Sequence, residues 1–351
     1  MTQTSFPDLR AYLDRLRRDG DLAVVEAAVD PHLEVAEIHR RVIAAGGPAL
    51  LFTNPLGSAF PLVTNLFGTA RRAGMAFGEK PFRLIERLVD LSHELLPPSL
   101  SGLWGAKDMA WEAMRIGSRR TRHGAVMQRV RRDVDLSQLP VITSWPGDGG
   151  PFMTLPLVFT EHPEDGGHNL GMYRLQIHDR RATGMHWQIG KGGGFHYAVA
   201  EAAQQPLPAT VYLGGPPALI LAAVAPLPEN VPELMLASLI VGQKLRLCSG
   251  PEGSSLLADC EFAFGGHVPP DVRRTEGPFG DHYGYYSLAH DYPIFEVDWM
   301  ACRKDAICPA TVVGKPRQED FFIGDLLQEL LAPLFPLVMP GVIDLWSYGE
   351  T

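Results

Sequence analysis

Cysteine is scarce in this chain, as are the features that direct a protein to a membrane or to secretion. The only four cysteines are Cys248, Cys260, Cys302 and Cys308, and none forms a C-x-x-C pair. We therefore expect buried free thiols in a reducing compartment rather than a zinc site. The N-terminus has no apolar core of the signal-peptide type, and no apolar run is long enough to span a bilayer. These absences predict a cytoplasmic protein with no membrane partner.

The chain also has no excess of positive charge and no common nucleotide-binding motif. The formal net charge is −9 at pH 7, which argues against a nucleic-acid partner. No Walker motif and no Rossmann fingerprint is present, so ATP and NAD are discounted. A local basic cluster consists of Arg115, Arg119, Arg120, Arg122, Arg129, Arg131 and Arg132. The simpler interpretation is a solvent-exposed connection between a helix and a strand, with its arginines paired to nearby acids. The alternative is a positively charged surface that attracts an anionic cofactor or substrate.

The first hundred residues alternate between predicted helices and short strands. Three leucines share one face of a helix predicted over residues 5–19, and Gly20 is a suitable residue to end it. These leucines are Leu9, Leu13 and Leu16. The other predicted elements are a helix over 31–45, a buried strand over 49–52 and a helix over 80–97. This alternation predicts an N-terminal α/β domain.

From about residue 124 the chain changes to short β-like runs separated by turn residues. The predicted strands cover 156–160, 169–178, 210–213, 218–224, 244–247, 260–264, 294–299 and 310–313. Helical insertions are predicted over 195–204 and 232–241. The pattern is typical of an antiparallel barrel or sandwich, which makes the whole chain α+β.

The end of the chain is predicted to form a connecting segment. A short helix over 324–331 is followed by an apolar strand over 342–345. Such a strand is unusual next to a C-terminus, because termini are normally frayed. We therefore expect that a missing segment or another chain covers it. The predicted organisation is an N-terminal α/β domain over 1–120, a β-rich domain over 121–320 and a connecting segment over 321–351.

Five polar residues in turn-rich or glycine-bracketed segments are candidates for chemistry. They are Asn169, Arg174, Glu233, Glu276 and Asp281. Taken singly, each has an ordinary interpretation as a turn residue, a surface cation, a helix start or a loop cap. Taken together, these residues could tune the pKa of an acid. An arginine lowers the pKa of a nearby carboxyl group, whereas burial or a second carboxylate raises it. A carboxylic acid tuned in this way can donate a proton at neutral pH.

Two motifs, N-L-G-M-Y-R at 169–174 and E-G-P-F-G-D at 276–281, carry a family resemblance. The chain resembles the UbiD-type decarboxylases, which include ferulic acid decarboxylase and 3-octaprenyl-4-hydroxybenzoate decarboxylase. The further matching segments are 8–10, 145–150, 215–217, 226–229, 282–284 and 311–316. The resemblance implies that the β-rich domain is a split β-barrel of the flavin-reductase type.

The same resemblance implies a cofactor and a metal. Family members bind prenylated FMN with a divalent metal, usually Mn²⁺, and often K⁺. The implied metal ligands are Asn169 and Glu233, whose oxygen atoms suit a hard dication beside a phosphate. The implied cofactor-binding residues are Asn169, Met172, Tyr173, Arg174, Gln188, Lys191, Ala225, Pro226 and Glu233.

Two departures from the family pattern are visible. The histidine that supplies a third metal ligand has no counterpart in 188–192, and we expect Lys191 to offer its cation to the cofactor phosphate instead. His186 and His196 flank this stretch out of register, and His186 is expected to pack or to hydrogen-bond. The chain also ends before the family's C-terminal α/β domain, so a truncated form or completion by a partner subunit is expected.

The family's catalytic network corresponds to Arg174, Glu276 and Asp281. The resemblance implies that Asp281 donates the proton, Glu276 holds the arginine and Arg174 steers the substrate carboxylate. The predicted function is reversible non-oxidative decarboxylation of an aromatic or α,β-unsaturated acid by a homo-oligomer or a partnered subunit, with cofactor from a flavin prenyltransferase. The alternative is a non-catalytic or accessory subunit. An FMN-binding reductase ranks last, because it needs no acid–arginine–acid network.

Overall fold

The chain folds into a mixed α/β structure, described by a computed structural model over residues 6–94, 116–187, 192–227, 231–339, 341–343 and 345–346. The helices in these ranges are α1 (Leu9–Arg18), α2 (Glu34–Ala44), α3 (Ala70–Phe77), α4 (Lys80–Glu94), α5 (Gly192–Ala202), α6 (Ala218–Val224), α7 (Glu233–Val241), α8 (Glu319–Leu331) and α9 (Phe335–Val338). No helix in the part of the chain described is long and apolar enough to cross a membrane.

The strands are two to seven residues long, except for one of thirteen residues. In chain order they are β1 (Leu22–Val25), β2 (Ala49–Phe52), β3 (Leu62–Thr64), β4 (Ser118–Arg120), β5 (Arg129–Arg131), β6 (Phe152–Met153), β7 (Leu157–Glu161), β8 (His168–Met172), β9 (Leu175–Gln176), β10 (Ala182–Gly184), β11 (Leu207–Leu213), β12 (Leu245–Ser249), β13 (Ser255–Leu257), β14 (Phe262–Val268), β15 (Arg273–Glu276), β16 (Phe279–Gly280), β17 (Tyr286–Ser287), β18 (His290–Cys302) and β19 (Cys308–Pro309).

Two sheets contain most of these strands, and a smaller sheet has the order β13-β12-β4. The N-terminal sheet has the order β1-β2-β3-β19 and mixes parallel with antiparallel pairs. The large sheet is antiparallel, has the order β10-β18-β14-β11-β7-β8, and also pairs β5 and β15 with β18. Because β18 is thirteen residues long, it connects the sheet core at Phe262 to the end of β15 at Glu276.

The central strand β2 of the N-terminal sheet is buried along its whole length, because both of its faces are covered. In β2 the side chains alternate between two hydrophobic clusters: Ala49 and Leu51 belong to one, and Leu50 and Phe52 to the other. Successive strand residues point to opposite faces, which explains why all four are apolar. Each cluster contains residues from both sides of position 120.

The N-terminal elements follow the predictions from periodicity. Helix α1 begins after Asp8, whose carboxylate accepts the Ala11 N–H at 2.8 Å, and it buries the three predicted leucines. Gly20, at φ 71°, follows it in the conformation that glycine tolerates best. The predictions of α2, β2, α5, α7 and α8 are confirmed to within a few residues.

Two predicted strands are wrong. Residues 218–224 form helix α6, because an apolar run buried on all sides has no period that separates helix from strand, and Ala and Leu favour helix. Residues 310–313 form no strand: the Ala310 N–H still bonds Val63 O of β3, but the Thr311 N–H bonds the Thr154 side chain, so the backbone pairing of β19 goes no further. The C-terminal strand predicted over 342–345 is not formed at 342–343, and residue 344 lies outside the description.

A buried carboxylate ties the N-terminal sheet to the end of the chain. Glu319, in the first turn of α8, is 1% exposed. Its Oε1 accepts the Phe67 N–H at 2.7 Å, and its Oε2 accepts the Asn65 N–H at 3.2 Å and the Thr311 hydroxyl at 2.6 Å. Burial raises the pKa of the Glu319 carboxyl group.

The cysteine and arginine predictions can also be compared with the structure. All four cysteines are free and buried, as predicted. Arg119 and Arg120 are exposed on β4, while Arg129 and Arg131 are exposed on β5, in keeping with the simpler interpretation of a solvated basic surface. Arg115 lies outside the described residues.

Candidate active site

The centre of the candidate site is an arginine held by a fully buried carboxylate. Arg174 follows β8, and Glu276 ends β15, so residues a hundred positions apart meet at the end of the large sheet. Arg174 Nε donates to Glu276 Oε1 at 3.1 Å, and the Glu276 side chain is 0% exposed. A buried carboxylate requires a charge partner, which Arg174 supplies.

A histidine contacts the same carboxylate. His186 Nδ1 lies 2.8 Å from the same Glu276 oxygen, and its ring centroid is 4.3 Å from that of Tyr292. The hydrogen-bonding role expected for His186 is therefore observed, but its carboxylate partner was not anticipated. The only sequence signal was its position just before the stretch 188–192, which does not identify a partner.

The guanidinium group of Arg174 is oriented from two other directions. Its carbon lies 4.5 Å from the centre of the Phe279 ring, and Nη2 lies 3.3 Å from Ser287 Oγ. Phe279 and Ser287 pair across the β16–β17 hairpin. Arg174 is thus held between β15 and this hairpin, with its side chain 17% exposed.

Asp281 lies at the turn of the same hairpin. Its N–H bonds Tyr285 O at 2.7 Å, and its Oδ1 accepts the His282 N–H at 2.5 Å. Its side chain is about one third exposed. Within the described residues no hydrogen bond joins Asp281 to Arg174. The structure therefore brings Arg174 and Glu276 into contact and leaves Asp281 on the adjacent turn.

The segment W-P-G-D-G-G at 145–150 holds the loop that carries these residues. Asp148 accepts the N–H groups of Ser144, Trp145 and Gly280 at 2.8–3.0 Å. The Gly149 N–H bonds Pro278 O at 2.7 Å. Burial raises the pKa of Asp148. Hydrogen bonds to backbone groups of the loop after Glu276 therefore help to position it.

We expect Gly149→Ala to disturb this loop. A Cβ at position 149 would lie 2.1 Å from the carbonyl oxygen of Gly277, a backbone atom that cannot move alone. The expected loss in the free energy of unfolding is about 1–3 kcal/mol. A matched control is Gly74→Ala in α3, where nothing lies within 4 Å, which should raise it by about 0.5–1 kcal/mol. Urea denaturation of both variants would measure the difference. Equal stabilities would contradict the close contact between Gly149 and the loop after Glu276.

A second group of candidate residues lies along β8 and the start of α5. Asn169 Nδ2 and the Gly193 N–H both approach the Tyr173 hydroxyl, at 3.5 and 3.3 Å. A Cβ on Gly192 would lie 2.5 Å from Asn169 Oδ1, so only glycine permits the start of α5 to approach this amide. No hydrogen bond from the described residues reaches Asn169 Oδ1.

Glu233, the first residue of α7, lies beside Asn169. Its Oε2 accepts the Leu170 N–H at 3.1 Å, and burial raises the pKa of this carboxyl group. An open amide oxygen next to a half-buried carboxylate is a donor set that suits a hard cation. The described part of the chain contains no cluster of three or more His, Cys, Asp or Glu residues that could hold a metal.

A buried hydrogen bond links helix α5 to the strand opposite Asn169. Thr160 pairs with Asn169 across β7 and β8, and Thr160 Oγ1 lies 2.9 Å from His196 Nδ1. His196 is 8% exposed, and burial lowers the pKa of its ring. His196 therefore anchors α5 beside the predicted metal ligand.

Of the remaining predicted cofactor-binding residues, three are described by the structure and two are not. Met172 ends β8 and is half-buried, and Ala225 and Pro226 follow α6, which packs on β8. Gln188 and Lys191 lie outside the described residues.

Family models match most of the chain. The 3-octaprenyl-4-hydroxybenzoate carboxy-lyase N-terminal domain matches residues 13–92, and the Rift-related domain of the same name matches residues 118–316. A relative from Chlamydia pneumoniae, named as a subunit of 4-hydroxybenzoate decarboxylase, is 51% identical over 344 residues. The alignment covers 98% of this chain and 59% of that protein, so the chain spans just under three fifths of its relative's length.

Solved structures show the same fold. An evolved dimeric form of the UbiD-class enzyme HmfF from Pelotomaculum thermopropionicum, in complex with prenylated FMN, superposes with a TM-score of 0.81 at 26% identity. The superposition covers 97% of this chain and 75% of the HmfF chain. Vanillic acid decarboxylase from Sedimentibacter hydroxybenzoicus, at 24% identity, gives a TM-score of 0.82 over 97% of this chain and 71% of that one. The chain belongs to the UbiD family.

Proposed function

We propose that this chain carries the site of a reversible, non-oxidative decarboxylase that acts on an aromatic or α,β-unsaturated carboxylic acid with prenylated FMN. The observation that carries the proposal is the Arg174–Glu276 pair, buried at the end of the large sheet. The HmfF structure contains prenylated FMN, and the Chlamydia pneumoniae relative is named as part of a decarboxylase, which supports the same assignment.

In this proposal Arg174 binds the carboxylate of the substrate. Its Nε and Nη2 are engaged by Glu276 and Ser287, whereas Nη1 donates no hydrogen bond to the residues described. A guanidinium group that is mostly buried binds a carboxylate strongly, because little water competes for it. Glu276 fixes the direction of the guanidinium group, and Phe279 supports its face.

Proton delivery to the carbon that loses CO₂ is assigned to Asp281. This carboxyl group lies on the hairpin that contacts Arg174, and it is partly exposed, so it can regain a proton from solvent between turnovers. The His186 ring contacts the same Glu276 oxygen that Arg174 contacts, so an imidazole lies next to this pair.

The residues that would hold the cofactor are those of the second group. Asn169 Oδ1 and Glu233 would bind Mn²⁺ next to the flavin phosphate, with K⁺ nearby and with the N-terminus of α5 facing the anion. When bound, prenylated FMN accepts electron density from the substrate as CO₂ leaves. The division into domains at 1–120, 121–320 and 321–351, with a flavin-reductase-like split barrel in the second, belongs to this proposal.

The proposal is tested by analysing the cofactor of protein produced together with a flavin prenyltransferase. Mass spectrometry should identify prenylated FMN at near-stoichiometric amount, and the loaded protein should catalyse deuterium exchange into an aromatic acid. Protein that binds the flavin but exchanges no acid in a broad panel would refute the decarboxylase assignment. The name of the Chlamydia pneumoniae relative supports a multi-subunit form, so co-purifying subunits should be identified in the same samples.

The predicted ligands can be tested separately. We expect Asn169→Ala and Glu233→Gln each to lower the affinity for Mn²⁺ by about 10- to 100-fold, the usual effect of losing a group at a metal site. Flavin retention after dialysis should fall in parallel, because the metal would bridge protein and phosphate. Glu252→Gln, an exposed carboxylate that pairs with Arg132, is the matched control. Unchanged metal and flavin content in both site variants would refute the ligand assignment.

A further inference from the structure

Two buried polar atoms lie behind the Arg174–Glu276 pair and have no hydrogen-bond partner among the residues that the structure describes. They are Glu276 Oε2, on the side of the carboxylate that faces away from Arg174 Nε, and His178 Nε2. His178 lies in the tight connection between β9 and β10, where its N–H bonds Ala182 O at 3.0 Å. Unpaired buried polar atoms are costly, so each one needs an explanation.

Gly184 shows how close these two atoms are. A Cβ built on Gly184 would lie 2.4 Å from Glu276 Oε2 and 3.3 Å from His178 Nε2. The two atoms are therefore at most 5.7 Å apart, the sum of these distances, yet they form no direct hydrogen bond. One water molecule that makes two hydrogen bonds spans up to about 5.6 Å.

We propose that one ordered water bridges His178 Nε2 and Glu276 Oε2 beside Gly184, and that His178 is thereby a positioning residue for the Arg174–Glu276 pair. The inference rests on the proposed function for its catalytic consequence, but not for the water itself. A site between a histidine nitrogen and a carboxylate oxygen is polar, as a buried water requires.

The surroundings of His178 favour a neutral ring that can pair with such a water. Burial, followed by the nearby Arg274, lowers the pKa of His178, while Glu276 and Asp179 act in the opposite direction. A neutral imidazole offers one donor and one acceptor nitrogen, and a water molecule can match either. With Oε2 occupied in this way, Oε1 stays directed at Arg174 and His186.

The first test needs no turnover. A crystal structure of the holoenzyme, at a resolution that shows ordered solvent, should contain one water within about 3.2 Å of both atoms. Long-range ¹H–¹⁵N NMR of histidine should show that the pKa of His178 falls in Glu276→Gln, because the carboxylate charge that raises it is removed. Absence of the water, or a His178 pKa that does not change, would overturn the proposal.

The second test measures the consequence for catalysis. His178→Phe should lower kcat by about 10- to 100-fold with little change in KM, the effect of losing one hydrogen bond to a charged group. His178→Gln, which keeps a polar terminus, should recover part of the loss. The matched control is His267→Gln, a half-buried histidine in β14 that pairs with Glu296 and Asp298 away from the site.

The outcomes separate the two proposals. Equal activity of His178→Phe and wild type would overturn the positioning role even if the water is present. An inactive wild-type protein would refute the proposed decarboxylase function, while the crystal and NMR measurements would still test whether His178 and Glu276 are coupled.

Discussion

Arg174→Ala is expected to lower kcat/KM for decarboxylation by about 10²- to 10³-fold, the usual effect of removing one preorganised electrostatic contact from an active site. The reason is that Arg174 is the cation held by buried Glu276 and keeps part of its side chain exposed. Steady-state kinetics with flavin-loaded protein would measure the loss. The flavin content should fall less than in Asn169→Ala and Glu233→Gln, because Arg174 is an expected cofactor contact but is not among the predicted metal ligands.

The controls for this prediction separate charge from geometry. Arg174→Lys keeps the charge but loses the fork that engages Glu276 and Ser287, so it should remain well below wild type. Arg132→Ala removes an exposed cation that pairs with Glu252, and it should leave kinetics unchanged. Glu276→Gln and Asp281→Asn should also lose turnover while retaining flavin. Near-wild-type kinetics of Arg174→Ala would refute the network.

Glu319→Ala is expected to have the largest effect on stability, a fall of about 3–5 kcal/mol in the free energy of unfolding. The change leaves the N–H groups of Asn65 and Phe67 and the hydroxyl of Thr311 without their acceptor in a fully buried place. Urea denaturation followed by circular dichroism would measure it. Glu329→Ala, an exposed carboxylate on the same helix, is the matched control and should change stability by less than about 0.5 kcal/mol.

The pH dependence of stability gives an independent check on Glu319. Burial raises the pKa of its carboxyl group, so the folded protein holds this proton at a pH where the unfolded chain has lost it. Its contribution to stability is therefore present below the unfolded pKa and declines as pH rises toward the folded value. Glu319→Gln should flatten this part of the profile, and a profile identical to wild type would contradict the assignment.

Local pattern was a good guide wherever one face of an element is buried. The leucine spacing of α1 predicted its helix, because burial on a defined face leaves a period in the sequence. Residues 49–52, which are buried on both faces, were predicted as a strand from the shortness of their apolar run. Helix α6 was predicted as a strand, because it is buried on all sides and has no such period. The family resemblance, carried by short motifs, was confirmed over most of the chain.

Residue patterns and motifs were enough to predict the family, the free cysteines, most elements and the candidate residues Arg174 and Glu276. The folded chain was needed to show that His186 contacts Glu276, that Asp281 lies on the neighbouring turn, and that His178 lies behind the carboxylate. These contacts connect β10, β15 and the β16–β17 hairpin across about a hundred residues. Their distances depend on how β18 aligns these elements, and no local pattern of residues encodes that alignment.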